Sequence, residues 1–239
     1  MNTTTDWPCQ LQLPGQAAAP PGPVDLTMMY LMHHAFRRDL AAFSAAAAAT
    51  PAADRDRWRR LARRWRLFAT ALHHHHSAED AGLWPLLLSR VDAAGQQVLT
   101  AMQDEHAEIA PILESCAAGF TALAATADED TRAALVVRVV AAKESLARHL
   151  AHEETAALTL VQQHLTVAEW KRLEAQHFAP SERPARTMLA LLPWVMHQLP
   201  EAAQQRLVAA APMARRAAWL LTRPGFEGRE RRAFGGCTG

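Results

Sequence analysis

Two histidine and glutamate pairs at a spacing of four, His75 with Glu79 and His149 with Glu153, carry the first chemical signal in the chain. That spacing sets both side chains of a pair on one helix face about one turn apart, so an imidazole and a carboxylate can meet at one point. A lone histidine precedes each pair at nearly constant distance: 42 residues separate His33 from His75, and 43 separate His106 from His149. A unit of lone histidine followed by His-x-x-x-Glu is thus written twice. A single histidine on an apolar face is usually a hydrogen-bonded core residue, and a single pair is usually an exposed ion pair. Six such groups in apolar stripes are different, because burying them without partners is costly and a metal cluster removes that cost. Mixed imidazole and carboxylate donors suit iron, manganese or zinc. Six donors exceed one tetrahedral zinc, and glutamates from opposed helices can bridge two ions. Two metals are the natural count.

Four amphipathic stretches must position these groups, each read from its apolar recurrence. They are Leu26, Met29, His33, Phe36, Leu40 and Phe43; then Trp58, Leu61, Trp65, Phe68, Leu72, His75, Glu79 and Leu86. The third holds Leu99, Met102, His106, Ile109, Leu113, Cys116 and Phe120, and the fourth Leu135, Val139, Ala142, Leu146, His149, Glu153, Ala156 and Leu160. Thr50-Pro51, Gly95 and Ala127-Asp128 are the expected breaks, and such short connections favour antiparallel neighbours. The expectation is an all-α, up-down four-helix bundle over 24–165. A proline-rich leader over 1–23 is expected to bury too little to fold, and an extension of short helices with a basic tail follows over 166–239. Within the extension, Thr166 and Glu169 fit a capping box, Pro193 is expected to kink or divide its helix, and the apolar segment Met188 to Met196 is expected to close the bundle end. Trp194, Trp219 and Leu220 are the expected packing residues, and Arg215, Arg216, Arg223, Arg229, Arg231 and Arg232 read as a solvated tail.

The composition narrows the function. Of 239 residues half are hydrophobic, 21% charged and 6% aromatic, with a formal net charge of +1, so no global field gathers nucleic acid or an anionic membrane. The N-terminus lacks a cationic and apolar secretory signal, and no apolar run approaches a bilayer span. Three scattered cysteines, Cys9, Cys116 and Cys237, form no disulfide framework, which places the chain in the cytosol. Nothing offers a phosphate-cradling glycine loop or a nucleophilic triad.

The stretches HHAFRRDL, HHSAEDAGLWPLL, QDEHAEI and ARHLAHEETAAL resemble the hemerythrin-like, HHE cation-binding family over about residues 25–165, and the segment from LPWVMHQLP onward is similar to the appended part of actinobacterial members. The resemblance implies a non-heme diiron centre with His33, His75, His106 and His149 as terminal ligands and Glu79 and Glu153 as bridging carboxylates. It also implies that His34, His76 or His152 can replace or supplement these, with His76 foremost. Asp80 reads as an acceptor for a ligand imidazole. The oxygen carriers of the family have a second histidine one turn after the one on the third helix and a bridging aspartate on the fourth; here those places hold Ala110 and Glu153. With fewer histidines both irons are expected to keep an exchangeable position. The implied function is an oxidoreductase that activates dioxygen or consumes peroxide, acting on O2 or H2O2 or on a small substrate; the sequence names neither the electron donor nor any organic substrate. The alternative is an O2 or NO sensor or store. A monomer or homodimer without nucleic-acid or membrane partners is expected. Tyr30 is a candidate donor near the metals, and Met28, Met29, Met32 and Met102 read as core.

Overall fold

A computed structural model describes residues 7–178 and 185–235, which are all-α, with no strand among them. Helices α1 (Thr27–Ala49) and α2 (Arg55–Ala78) lead through a π-turn at Glu79–Leu83 into the short α3 (Trp84–Leu88). Helices α4 (Ala93–Ala125) and α5 (Glu129–His152) lead through a second π-turn at Glu153–Ala157 into α6 (Leu158–His164). Three of these helices start on an aspartate: Asp54 accepts from the Arg57 amide at 3.0 Å, Asp92 from Gly95 at 2.9 Å and Asp128 from Thr131 at 3.2 Å. Such caps satisfy first-turn amides that have no partner in the helix. Gly95, expected to separate two helices, therefore lies inside the first turn of α4; the break falls over Ser89–Asp92. α4 is long and apolar enough by composition to cross a membrane, contrary to the expectation of no such run, yet its buried face belongs to the bundle core.

The expected stripes hold up to the two glutamates and then slip by one residue. Beyond Glu79 the fully buried side chain is Leu87, not Leu86; beyond Glu153 the buried positions are Ala157 and Val161, not Ala156 and Leu160. The π-turns are the cause. In each, the glutamate carbonyl accepts from the amide five residues on, Trp84 or Leu158, which inserts one residue into the helix.

The leader corrects a second expectation. Over its described residues it has no regular structure but buries Leu11, Leu13 and Ala19, and Val24 directly after it is buried too. Glutamine side chains supply the hydrogen bonds that a helix would have made: Gln10 donates to the Val24 carbonyl at 2.7 Å and accepts from the Leu26 amide at 3.1 Å, and Gln162 accepts from the Val24 amide at 2.9 Å.

After α6 the capping box opens α7 (Val167–Leu173), with the Glu169 amide donating to Thr166 Oγ1 at 3.3 Å and the Thr166 amide to Glu169 Oε2 at 2.9 Å. A third π-turn follows at Glu174–Phe178. Then come α8 (Ala185–Met196), α9 (Glu201–Ala210) and α10 (Met213–Phe234); Pro180, Pro184 and Cys237 lie outside the described residues. α8 runs unbroken across Pro193, and α10 across Pro224. In the bundle α2 packs on α4, α4 on α5 and α5 on α1, while α1 and α2 are splayed and α8 and α10 fill the seam between them. α8 thus lies along the flank of α1 and not across the bundle end.

The docking is polar at its centre. Asp39 of α1 is 1% exposed and accepts from Arg64 Nη2 at 2.6 Å, Arg38 Nη2 at 2.8 Å and Trp194 Nε1 at 2.8 Å. Arg64 Nε also donates to Glu230 of α10 at 2.7 Å, and Phe234 packs 5.1 Å from the Phe43 ring. The basic tail is therefore a helix whose Phe226, Glu230 and Phe234 are buried, with its arginines on the outer side. Trp194 is fully buried and Trp219 nearly so, but Leu220 points to solvent.

Candidate metal centre

The six expected donors meet in one buried layer, joined by His76. Two groups form: His33, His75, Glu79 and Glu153 in one, and His76, His106 and His149 in the other, with the donor atoms of each group within 4.8 Å of one another. The glutamates link the groups. Glu79 Oε1 lies 3.1 Å from His75 Nε2 while its Oε2 lies 3.5 Å from His106 Nε2. Glu153 Oε2 lies 3.2 Å from His33 Nε2 and 3.9 Å from His149 Nε2. The second group gains His76 because its ring stacks on His106 with centroids 3.9 Å apart. Of the other alternates, half-buried His34 is near Gln198 and Arg38, and His152 is over a third exposed with its Nδ1 on Glu105, so neither joins a group.

Each of the first two π-turns begins at a linking glutamate, and there two successive carboxylates serve the same layer. After Glu79, Asp80 Oδ1 accepts from His106 Nδ1 at 2.9 Å; after Glu153, Glu154 Oε1 accepts from His33 Nδ1 at 2.9 Å. Glu105 Oε2 takes His149 Nδ1 at 2.7 Å. These outer carboxylates hold the Nδ1–H bonds and turn the Nε2 atoms inward, which fixes ring orientation and raises basicity. Asp80 was legible as an acceptor; Glu105 and Glu154 were not. The signal for Glu154 was the doublet Glu153-Glu154 matching Glu79-Asp80.

The inward atoms face one another: His33 Nε2 is 3.2 Å from His75 Nε2, and His106 Nε2 is 3.2 Å from His149 Nε2, the latter pair with both Nδ1 atoms held by carboxylates. Two imine nitrogens at that distance need a shared cation, a proton or a metal. All four oxygens of Glu79 and Glu153 are buried without a hydrogen-bond partner, as is His76 Nε2. A buried carboxylate in that state is strongly disfavoured unless a cation answers it, so the donor set fits metal ions.

Without metal, protons take that place. Burial, then the charge of Glu153, raises the Glu79 carboxyl well above the ordinary range. Burial would also raise Glu153, but His33 and its neighbours draw it down to about 2. Burial acts against the His33 imidazolium, yet Glu153 and Glu154 hold its pKa up at about 9. Burial and neighbouring imidazoles keep His75 and His76 well below the ordinary value, so both are neutral donors.

The walls are apolar and close. Phe36 lies 5.3 Å from His75, and Trp84, Leu87 and Met102 are fully buried. Met29 is also buried but Met28 is half exposed. The third π-turn covers the α2 side, with the Phe178 ring 6.0 Å from His75. Gly82 permits this, since a Cβ there would stand 2.6 Å from the His177 ring. Tyr30 packs 6.4 Å from His33 with its hydroxyl buried and unpartnered; burial, then Glu154 and Glu153, raises its pKa and keeps the phenol protonated. Cys116 is buried below the layer, its thiol pushed up to about 12 by burial, and is chemically quiet.

A family model, the hemerythrin HHE cation-binding domain, matches residues 24–161, more than half of the chain. No curated protein and no solved structure matches it. The matched span takes in every member of both donor groups, and the chain belongs to the hemerythrin HHE cation-binding domain family.

Proposed function

We propose that the protein is a non-heme diiron protein that binds dioxygen or peroxide and reduces it, an oxidoreductase of the reducing cytosol. The observation that carries this reading is the pair of donor groups joined by Glu79 and Glu153, whose four oxygens are buried without a hydrogen-bond partner and face the imidazole Nε2 atoms. His33 and His75 would hold one ion, His76, His106 and His149 the other, and the two glutamates would bridge. Two irons held there would supply electrons to a bound oxygen species.

The chain's own residues do the rest. Asp80, Glu105 and Glu154 hold the imidazoles of His106, His149 and His33 by Nδ1. Phe36, Trp84, Leu87 and Met102 exclude water, which strengthens every interaction inside the layer. Arg37 neutralises Glu154 through two hydrogen bonds at 2.6 and 3.1 Å, so no uncompensated charge is left behind His33. Asp80 and Glu105 are each about a third exposed and connect the Nδ1 protons of His106 and His149 to solvent.

One observation favours a second reading, reversible binding of O2 or NO. His76 brings one group to three imidazoles against two in the other. The exchangeable position then belongs to the His33 and His75 side alone, and a single open position suits carriage as well as turnover. Two equally open irons, expected from Ala110, are not favoured.

Anaerobic loading with Fe(II), metal analysis, and absorption spectroscopy on admitting O2 test both. Two irons per chain with O2 consumed repeatedly in the presence of a reductant support the oxidoreductase. A spectrum that degassing reverses supports carriage. Fewer than two metals in the fully loaded protein overturns both.

A further inference from the structure

We infer that the N-terminal leader is a working part of the centre: Ala17 and Gln16 lock Glu154, and through it they hold His33 in its ligating orientation. This rests on the diiron reading above.

The lock is built from short contacts. The Ala17 amide donates to Glu154 Oε2 at 3.0 Å, and Gln16 Nε2 reaches Glu154 Oε1 at 3.3 Å while also donating to the Tyr30 carbonyl at 2.8 Å. Gly15, at φ 77°, makes the turn that presents these two residues, a conformation in which a side chain is strained. Glu154 is 1% exposed, so its oxygens have the leader, Arg37 and His33 as partners and no water to replace them. Without the leader, Oε2 would keep only the 3.1 Å bond from Arg37 Nη2. Arg37 is itself partly exposed, and the pair could then turn outward together and release the His33 ring.

The other carboxylates have no such strap. Asp80 and Glu105 sit at the edge of the layer, partly exposed, and none of their hydrogen bonds comes from the leader. The leader therefore acts on one of the two ions. Glu154 is a positioning residue and touches neither ion; the leader positions the positioner. The ion it controls is the one on the side with fewer imidazoles, where an exogenous ligand enters. A partner that drew the leader away would loosen that ion alone.

The test compares the full-length chain with Ala17→Pro, which deletes one N–H, and Gln16→Leu, which deletes the amide at similar volume. Each protein is loaded with Fe(II) anaerobically, and release to an excess of a coloured chelator is followed in time. The expected result is one iron released about 10-fold faster or more, the scale for losing an outer partner of a metal ligand, with the second iron at the wild-type rate. Thermal melts of the metal-free variants should match wild type, which separates a lock on His33 from a general loosening. Equal release of both irons from wild type and both variants overturns the inference while leaving the diiron reading intact. Faster release of both irons to the same extent also overturns it, as that reports global destabilisation. A wild-type chain that retains no iron overturns the diiron reading itself, and this inference with it.

Discussion

Two places in the molecule bury charge, and they do so in opposite ways. At the seam where α10 docks, the carboxylates of Asp39 and Glu230 are each answered by Arg64, and Asp39 also by Arg38 and the Trp194 indole. In the donor layer, less than the length of α1 away, Glu79 and Glu153 are buried as deeply and no oxygen has a hydrogen-bond partner. Burial of charge therefore does not mark a functional site. The mark is burial that the chain leaves unanswered. At the seam guanidinium groups of the chain answer both carboxylates, although Arg64 Nη1 itself stays unpartnered; in the layer only imidazole nitrogens face the carboxylates, and a metal ion would complete the set.

That difference is open to attack by mutation. The largest effect is expected in metal content: His75→Ala or Glu153→Ala should lose at least one of two irons by metal analysis, whereas His73→Ala, on the exposed side of α2, should lose none. Next is the seam. Asp39→Ala leaves Arg64 buried with only Glu230, and chemical denaturation should show a loss of about 3–5 kcal/mol, the scale for breaking a buried ion pair. Trp194→Phe removes only the indole bond to Asp39 and should lose about 1.5–3 kcal/mol. Glu79→Gln should act with the opposite sign in the metal-free chain. Burial and the charge of Glu153 both oppose the ionised carboxylate of Glu79, so the uncharged amide should stabilise the apoprotein at neutral pH while still lowering iron content. If Asp39→Ala and Glu79→Gln shift apoprotein stability in the same direction, the contrast between the two regions fails.

The smallest effect is in pH dependence. Burial alone would raise the Asp39 pKa, but Arg64 and Arg38 hold it below the ordinary carboxylate range. A depressed acid contributes stability that is present above its unfolded pKa, about 4, and lost as pH falls towards the folded value. Between pH 5 and 3 the wild-type chain should lose more stability than Asp39→Asn. Glu230, raised by burial, works the other way and makes the slope shallower.

The bundle and its donor layer were legible because a histidine or glutamate in an apolar stripe is conspicuous, and His33, His75, Glu79, His106, His149 and Glu153 all stood in such stripes. His76 was legible only as an alternate, since in a regular helix it faces about 100° away from His75; its stacking on His106 is a tertiary fact. The slip after Glu79 and Glu153 was hidden because both registers offer apolar side chains: Leu86 and Leu87, or Leu160 and Val161, satisfy the pattern equally. The leader was misread for a related reason. Proline and glycine exclude a helix, but they do not exclude burial when glutamine amides bond the backbone, as Gln10 and Gln16 do. The arginines of α10 are solvent-exposed as expected, but the docking of that helix was hidden because Arg64, which answers Glu230, lies 166 residues earlier.

The two π-turns also say what the chain would be with one residue fewer in each. Leu87 stands eight positions after Glu79, and Val161 eight after Glu153; deleting one residue from Glu79–Leu83 and one from Glu153–Ala157 would make both intervals seven. The apolar stripes would then run on in plain heptad phase, and the shortened chain would still read as a well-formed bundle. What it would lose is the ability of neighbouring residues, Glu79 with Asp80 and Glu153 with Glu154, to address the same layer from inside and outside. One extra residue in each turn thus shifts the apolar register of the helix beyond it and sets an inner and an outer carboxylate side by side at the layer.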